Sequence, residues 1–323
     1  MGNKQTAPGS NPADTIGHSL FASDWWLDAL SPEQWEEVTV EKGGRVQARL
    51  PYTIRKTPVG AILGMPKLTQ TLGPAFSIES HKQSSMLSRQ KELSEALIQR
   101  LPAFAAFRQN FHYSIENWLP WYWAGFRQTT RYTYVHEDLS NPNHLWDGFD
   151  QRIRRSIRKA EKLVSVETTE DFDAFWRLNQ QVFARQDISQ PYSKQLVQRL
   201  DRVCAERGQR AIFIARDNEN RAHAAVYLVW DDSSAYYLMG GSDPEYRYSG
   251  AQSLLMWEAI QFASNVTEKF DFEGSMIEPV ERYFRAFGGA AKPYHSVWKV
   301  SSRARAYQLA GTAYKRTLGR LRD

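Results

Sequence analysis

Three apolar runs follow one another near the middle of the second half: Ala211–Arg216, Ala222–Trp230 and Ser234–Gly240. Only Asp217-Asn218-Glu219-Asn220 and Asp231-Asp232-Ser233 separate them. Short breaks rich in Asp, Asn and Ser close turns through side-chain hydrogen bonds to the local backbone. The segment therefore predicts a three-stranded meander. Helical spacing precedes it at Asp171–Gln186 and Ser193–Arg207, and follows it at Gly250–Ala263. A short strand at Lys269–Glu273, a helix at Pro279–Phe287 with proline at its start, and a strand at Lys292–Val300 complete the half. A meander answered by helices and further strands reads as a layered domain, a mixed sheet with helices on it. The fold class is α/β (α+β).

The first half carries the same kinds of element. A short helix opens at Ser23-Asp24-Trp25, and strands Glu36–Glu41 and Arg45–Ile54 flank a Gly43-Gly44 hairpin signal. A third strand is expected at Val59–Leu63, a turn-rich connector at Met65–Pro74, and a helix at Ser85–Arg100. Strands at Ala103–Phe107 and Arg127–Val135 follow. Ser140-Asn141-Pro142 punctuates the chain and places a domain boundary nearby. One helix is then expected from Leu145 to Lys162, and a strand at Val164–Thr168. The resulting division is a tail over 1–17, domains over 18–143 and 144–301, and a last helix over 302–323.

Composition narrows the function classes. Hydrophobic residues make up 42% and charged residues 24%, which is ordinary for a globular chain of 323 residues and against disorder throughout. The single cysteine, Cys204, excludes an intramolecular disulfide and a cysteine metal site, and the seven histidines show no ligand spacing, so no metal is expected. No apolar stretch is long enough to span a membrane. The N-terminal segment has no apolar core for a secretory signal, and a cytoplasmic location is expected. Gly2 and Thr6 fit a loose myristoylation pattern, with a polar tail as the plainer reading.

The net charge of +5 is unevenly spread. Arg152, Arg154, Arg155, Arg158, Lys159 and Lys162 crowd one segment against Glu161 alone, and a second basic cluster lies in the last helix. The rest of the chain is net acidic, so general DNA binding is not expected. Arg154 and Arg158 lie four apart on one helix face and suit a substrate phosphate or a tRNA backbone, whereas the alternative is a solvated basic face. The last helix, with Tyr307, Leu309, Tyr314, Leu318 and Leu321 among basic residues, either packs on the domain or lies on an anionic membrane at the inner face.

Two segments bear on chemistry most directly. From Met239-Gly240-Gly241 to Arg247-Tyr248-Ser249-Gly250-Ala251-Gln252 the chain runs strand, loop, helix start. A helix start offers unpaired N–H groups and a positive dipole end to an anion, and Arg247 adds a charge. In Phe270-Asp271-Phe272-Glu273-Gly274-Ser275 the two carboxylates alternate with aromatics and so face one side of a strand. Their repulsion and burial raise the pKa of at least one, which suits a proton acceptor, while pairing with an arginine such as Arg285 is the structural alternative.

These residues carry a resemblance. Arg247-x-x-Gly250-x-Gln252 looks like the Arg/Gln-x-x-Gly-x-Gly/Ala loop with which GNAT enzymes bind the pyrophosphate of coenzyme A, with Gln252 departing in the last place. Asp-Phe-Glu-Gly-Ser-Met followed by Phe-Arg-x-Phe-Gly-Gly resembles the GNAT-like domain of Fem-type peptidoglycan-bridge aminoacyltransferases and of acyltransferases of envelope-polysaccharide biosynthesis. Arg152–Lys162 resembles the helix that opens the second Fem-type domain. The resemblance implies two tandem GNAT-like domains, each a mixed, mostly antiparallel sheet flanked by helices. It implies an N-acyltransferase that joins an activated acyl group to an amine.

Under that resemblance, Asp271, Glu273 and Tyr283 are the catalytic candidates. Many GNAT enzymes place a tyrosine acid where this chain has Phe284, with Tyr283 beside it. Met239, Gly240, Arg247, Ser249, Gly250, Ala251 and Gln252 are expected to bind the donor. Lys67, Trp121, Arg154, Arg158, Ser275 and Arg285 are expected to bind substrate, Trp121 from a Trp-rich run that could line a cleft, with core packing as the plainer reading. The donor is acyl-CoA (acetyl-CoA) or aminoacyl-tRNA. The acceptor is a small amine such as an amino sugar, or a cell-envelope precursor. No long heptad run marks the coiled-coil arm of bridge-building Fem enzymes. A non-catalytic binding member is the third reading.

Overall fold

The computed structural model describes residues 17, 19–78, 82–185, 188–302 and 304–305. The N-terminal tail with its Gly2–Thr6 pattern and most of the basic last helix lie outside the described residues. The chain divides into two compact units, Met1–Thr130 with Tyr294–Asp323, and Arg131–Pro293.

The first unit begins with a short helix, α1 (Asp24–Leu30), and a hairpin of β1 (Trp35–Lys42) and β2 (Arg45–Thr57) that turns at Gly43-Gly44, both at positive φ. β3 (Gly60–Gly64) pairs antiparallel with β2, and a short β4 (Ala75–Phe76) pairs with β2 as well. The chain then crosses through α2 (Gln83–Arg100) to β5 (Phe104–Asn110), which lies parallel to β3. Leu93 and Leu97 of α2 face a core of Leu50, Tyr52, Leu63, Phe107 and Phe111. Trp121, on the short α3 (Leu119–Trp123), is fully buried in that core, stacked on Phe107 and edge-on to Phe111 and Phe126. Arg49, a deeply buried charge of this unit, is held by Asp24 and Glu37, each at 2.7 Å.

The second unit repeats the order. β7 (Ser165–Thr169), α6 (Phe172–Arg185) and α7 (Lys194–Glu206) precede an antiparallel meander of β8 (Arg210–Arg216), β9 (Ala222–Trp230) and β10 (Ser234–Ser242). The chain crosses through α8 (Ala251–Ala263) to β11 (Lys269–Asp271), which is parallel to β10. α6 packs on β9 and β10, α8 on β8 and β9. α9 (Glu278–Arg285) follows β11.

Two departures from the sequence reading have physical causes. The expected single helix over Leu145–Lys162 is two, α4 (Pro142–Gly148) and α5 (Gln151–Ala160). Phe149 between them turns into the core beside Trp257 and Phe287, and Asp150 caps α5 by accepting from the Arg152 N–H at 2.7 Å. The division between units falls after Thr130 rather than near Pro142, because strands cross over. The end of β6 (Arg127–His136) pairs antiparallel with β11, while the end of the last strand, β12 (Ala290–Val300), pairs antiparallel with β5. Each unit thus ends its meander–helix–parallel-strand order on an antiparallel strand that continues into the other unit's sequence.

Trp121 tests the first core. Trp121→Ala removes a fully buried ring, and the expected loss is roughly 3–5 kcal/mol of stability, measured as a lower denaturant midpoint. An unchanged midpoint contradicts the packing described.

Candidate active site

β10 and β11 pair only from Ser234↔Lys269 to Tyr236↔Asp271, and beyond that point they part. On the β9 side the register of β10 shifts between Tyr237 and Met239, so Leu238 is an extra residue outside the ladder. β11 stops at Asp271, earlier than the sequence pattern suggests. The Asp271 carboxylate accepts the Thr133 hydroxyl and, at 2.7 Å, the Glu273 N–H. Glu273 and Gly274 then turn through positive φ (58° and 57°). A side chain at Gly274 would strike the Tyr132 carbonyl and Thr133, so glycine is required. The expectation that Asp271 and Glu273 face one side of a strand fails here: Asp271 closes the turn, and Glu273 is turned into the gap between the strands.

The two carboxyls differ accordingly. Asp271 is 2% exposed, and burial pushes its pKa up to about 7 against the lowering pull of the Thr133 hydroxyl and the Glu273 N–H. Glu273 keeps some residue exposure, but its Oε1 is sealed from solvent without a hydrogen-bond partner. Burial, and then the charge of Asp271, raises its pKa well above the ordinary carboxyl value. An unsatisfied buried carboxyl oxygen is costly, so it marks a place where a ligand or a proton is expected.

Three tyrosines surround this region. Tyr237 lies in the gap, and burial raises its pKa strongly, with Tyr283, Tyr192 and Glu273 adding to the shift. Tyr283 Oη is buried near Ser253 with no well-formed hydrogen bond, and burial raises it as well. Tyr192 donates to Asn179 Oδ1 at 3.2 Å, and Asn179 in turn donates to the Gly240 carbonyl at 2.8 Å. All three hydroxyls stay protonated at neutral pH and act as hydrogen-bond donors or acceptors, not as bases.

A cleft of about 660 Å³ opens beside this cluster, lined in part by Tyr237, Gly240, Arg247, Gly250, Gln252 and Tyr283. Gly250 sits at φ 82° and caps α8 without a side chain; a Cβ there would lie 2.6 Å from the Ser156 carbonyl and hydroxyl. The first turn of α8 therefore reaches the cleft; its Ala251 N–H donates to Ser249 Oγ at 3.2 Å and its Ser253 N–H to the Gly250 carbonyl at 2.9 Å, which leaves the Gln252 N–H to face an anion. Arg185 and Arg247 stand at the same end, and neither has a carboxylate partner among the described residues. Burial and, after it, the charge of Arg247 hold Arg185 below its usual pKa. Two unpaired guanidiniums at a helix start make a site for a polyanion. At the floor, Gln252 Nε2 lies 3.4 Å from Tyr237 Oη, under Gly240, where a Cβ would collide with that hydroxyl.

Of the residues expected from sequence, Gly240, Arg247, Ser249, Gly250, Ala251, Gln252 and Tyr283 line this one cleft. Met239 is buried outside it. Trp121 is buried in the other unit's core, and Lys67 is exposed on that unit's surface. Arg154 approaches Asp147 at 4.0 Å and Arg158 stacks over Trp146, so both face away from the cleft lining. Ser275 accepts the Ile277 N–H at 3.0 Å, and Arg285 donates to Glu281 at 2.9 Å beside a separate recess with Arg152 and Arg282. Among the described residues no group of side chains suits a metal, and no helix is long and apolar enough to cross a membrane.

Comparison with known proteins fits this geometry. Residues 148–285 match the family described as Acetyltransferase (GNAT) domain. The fold is similar to the crystal structure of FemX, with a TM-score of 0.67 at 13% identity over 92% of this chain and 96% of that one. It is similar too to the C-terminal domain of a putative lysylphosphatidylglycerol synthetase from Agrobacterium fabrum (TM-score 0.54, 13% identity, 88% of this chain and 90% of that). L-PGS from Bacillus licheniformis gives 0.51 at 12% identity over 94% and 99%. At these identities the likeness is one of fold. No curated protein matches the sequence. The second unit thus carries a match to the GNAT acetyltransferase domain, and the chain as a whole has a fold similar to that of FemX.

Asp271 ties this turn to pH. Its folded pKa of about 7 lies above the ordinary value of 3.8, so folding favours the protonated form. That contribution is complete below about pH 4 and is lost as pH rises through about 7. The wild-type protein is expected to lose stability over this range relative to Asp271→Asn, in denaturant titrations at several pH values. A constant difference between the two proteins contradicts the assignment.

Proposed function

We propose that the second unit transfers an acyl group from acyl-CoA to a primary amine, with the carbonyl held where β10 and β11 part. The observation that carries this reading is the conjunction of a cleft holding two guanidiniums without a carboxylate partner among the described residues and a buried, unpartnered carboxyl oxygen, Glu273 Oε1, close enough to act on Tyr237 of the cleft lining. Arg185, Arg247 and the α8 N-terminus would hold the donor's pyrophosphate. The extra residue Leu238 would turn its backbone toward the carbonyl oxygen, as bulged strands offer free backbone groups. Glu273 would take one proton of the attacking ammonium; the amine nitrogen then bonds to the carbonyl carbon, the carbon–sulfur bond breaks, and the nitrogen's remaining surplus proton passes to the sulfur, which leaves as the thiol. Tyr283, kept protonated by its raised pKa, would donate a hydrogen bond to the departing sulfur. The acceptor is proposed as an amino sugar or cell-envelope precursor, in keeping with the Fem-type fold.

One observation favours a second reading, an aminoacyl ester donor. Gln252 fills the place where the pyrophosphate loop of GNAT enzymes has a small residue, and its amide narrows the groove floor against Tyr237.

Glu273→Gln separates a base from a bystander. With acetyl-CoA as donor and glucosamine as acceptor, thiol release is expected to fall at least about 100-fold in kcat, in the range of general-base contributions. Hydroxylamine, already unprotonated at neutral pH, should suffer far less. In the wild-type protein kcat/KM should fall as pH drops through the raised pKa of Glu273, and Glu273→Gln should lack that limb. Equal losses with both acceptors, or a retained limb, would sink the assignment.

A further inference from the structure

Most of the basic run on α5 stays clear of the cleft, yet one lysine of that helix reaches the loop that borders it. Ile153, Ile157 and Ala160 are buried and fix α5 in the core, and Asp150 caps its start. The face between these anchors turns toward the loop before α8. Ser156 touches Gly250 there, closely enough that no side chain fits. One turn on, Lys159 donates from Nζ to the Tyr248 carbonyl and lies 5.3 Å from the centre of the Tyr248 ring. Tyr248 is 65% exposed, so burial does not hold it. Its carbonyl lies four residues before Gln252, the acceptor Gln252 N–H would use if α8 ran back another turn. Lys159 engages that carbonyl, and left-handed Gly250 breaks the helix at that point. Both contacts therefore set where the helix begins and where Arg247 is carried.

We propose that Lys159 is a positioning residue for the donor site: through Tyr248 it fixes the Arg247–Gly250 loop, so that Arg247 and the α8 N-terminus meet an anion together. This rests on the acyl-CoA reading for the identity of the anion, but the clamp itself does not. The basic character of α5 then serves the donor loop from behind, in place of the direct substrate contact expected for Arg154 and Arg158.

Two readouts on the full chain test this. Hydrogen exchange of the amides over 247–252 should quicken in Lys159→Gln and stay slow in Lys159→Arg, which keeps the charge and a donor. In parallel, coenzyme A binding should weaken roughly fivefold in Lys159→Gln, the scale of losing one exposed charge-assisted hydrogen bond. Donor KM should rise with it while kcat and acceptor KM hold. Arg155→Gln, on the exposed face of the same helix, serves as control and should change neither readout. Unchanged exchange in Lys159→Gln, or the same effect in Arg155→Gln, overturns the proposal. If the wild-type protein binds no coenzyme A, the donor reading falls, and the exchange result still decides the clamp.

Discussion

Everything that qualifies the second unit as a site follows from how briefly β10 and β11 stay paired. Parallel strands normally continue a ladder until a loop ends both. Here the pairing closes after Tyr236↔Asp271, and the two strands are driven apart by different means. β10 carries an extra residue at Leu238. β11 is stopped by its own Asp271, whose carboxylate bonds back to the Glu273 N–H. The gap exposes backbone that the sheet would otherwise consume, and it admits side chains from more than one element: Tyr237 from β10, Tyr283 from α9 and Tyr192 from the segment between α6 and α7. Buried Asp271 is the cost of this turn, since a carboxyl at that depth must either stay protonated or be held by its two donors.

The electrostatics are graded along the cleft. One end gathers positive charge with no carboxylate partner among the described residues, Arg185 and Arg247 beside a helix start. The gap gathers protonated hydroxyls and one carboxyl, Glu273, that lacks a partner. A donor with an anionic tail and an electrophilic head matches that gradient in one orientation only. Burial raises the Glu273 pKa, and the raised value makes it a stronger base at the moment it is needed, since an ionised carboxylate there gains by accepting a proton. The same environment keeps the tyrosines from ionising, so they contribute hydrogen bonds, not charge.

Much of the element map was legible in the sequence. The turn chemistry at Asp217–Asn220 and Asp231–Ser233, the Gly43-Gly44 hairpin and the proline at the start of α9 act locally, and local signals survive without knowledge of partners. The strand–loop–helix turn that lines the cleft was legible for the same reason, because Gly250 and Arg247 act within that one turn. Failures came where a distant partner decides. The last strand pairs with β5 and the end of β6 with β11, so no local composition change marks the division after Thr130. Alternation placed Asp271 and Glu273 on one face, but Thr133, far away in sequence, helps end the strand between them. Trp121 could be read as cleft or core, with core the plainer reading, and Phe107, Phe111 and Phe126 place it in the core. Tyr237 stands three residues before Gly240 and was readable as the side chain whose space that glycine leaves free. Arg185, Asn179 and Tyr192 sit in segments with no motif, and nothing in their own neighbourhood announces the cleft end that Arg185 lines or the gap beside Asn179 and Tyr192.

The central claim is that the cleft beside the parted strands binds an acyl donor by its anionic part. Isothermal titration of the protein with coenzyme A tests it most directly, comparing the wild-type chain with an Arg185→Ala/Arg247→Ala double variant. The account predicts micromolar, salt-sensitive binding that weakens at least about tenfold in the double variant, as expected for two charge-assisted contacts to phosphate. Binding that is indifferent to the two substitutions, or no binding to the wild-type protein, contradicts it.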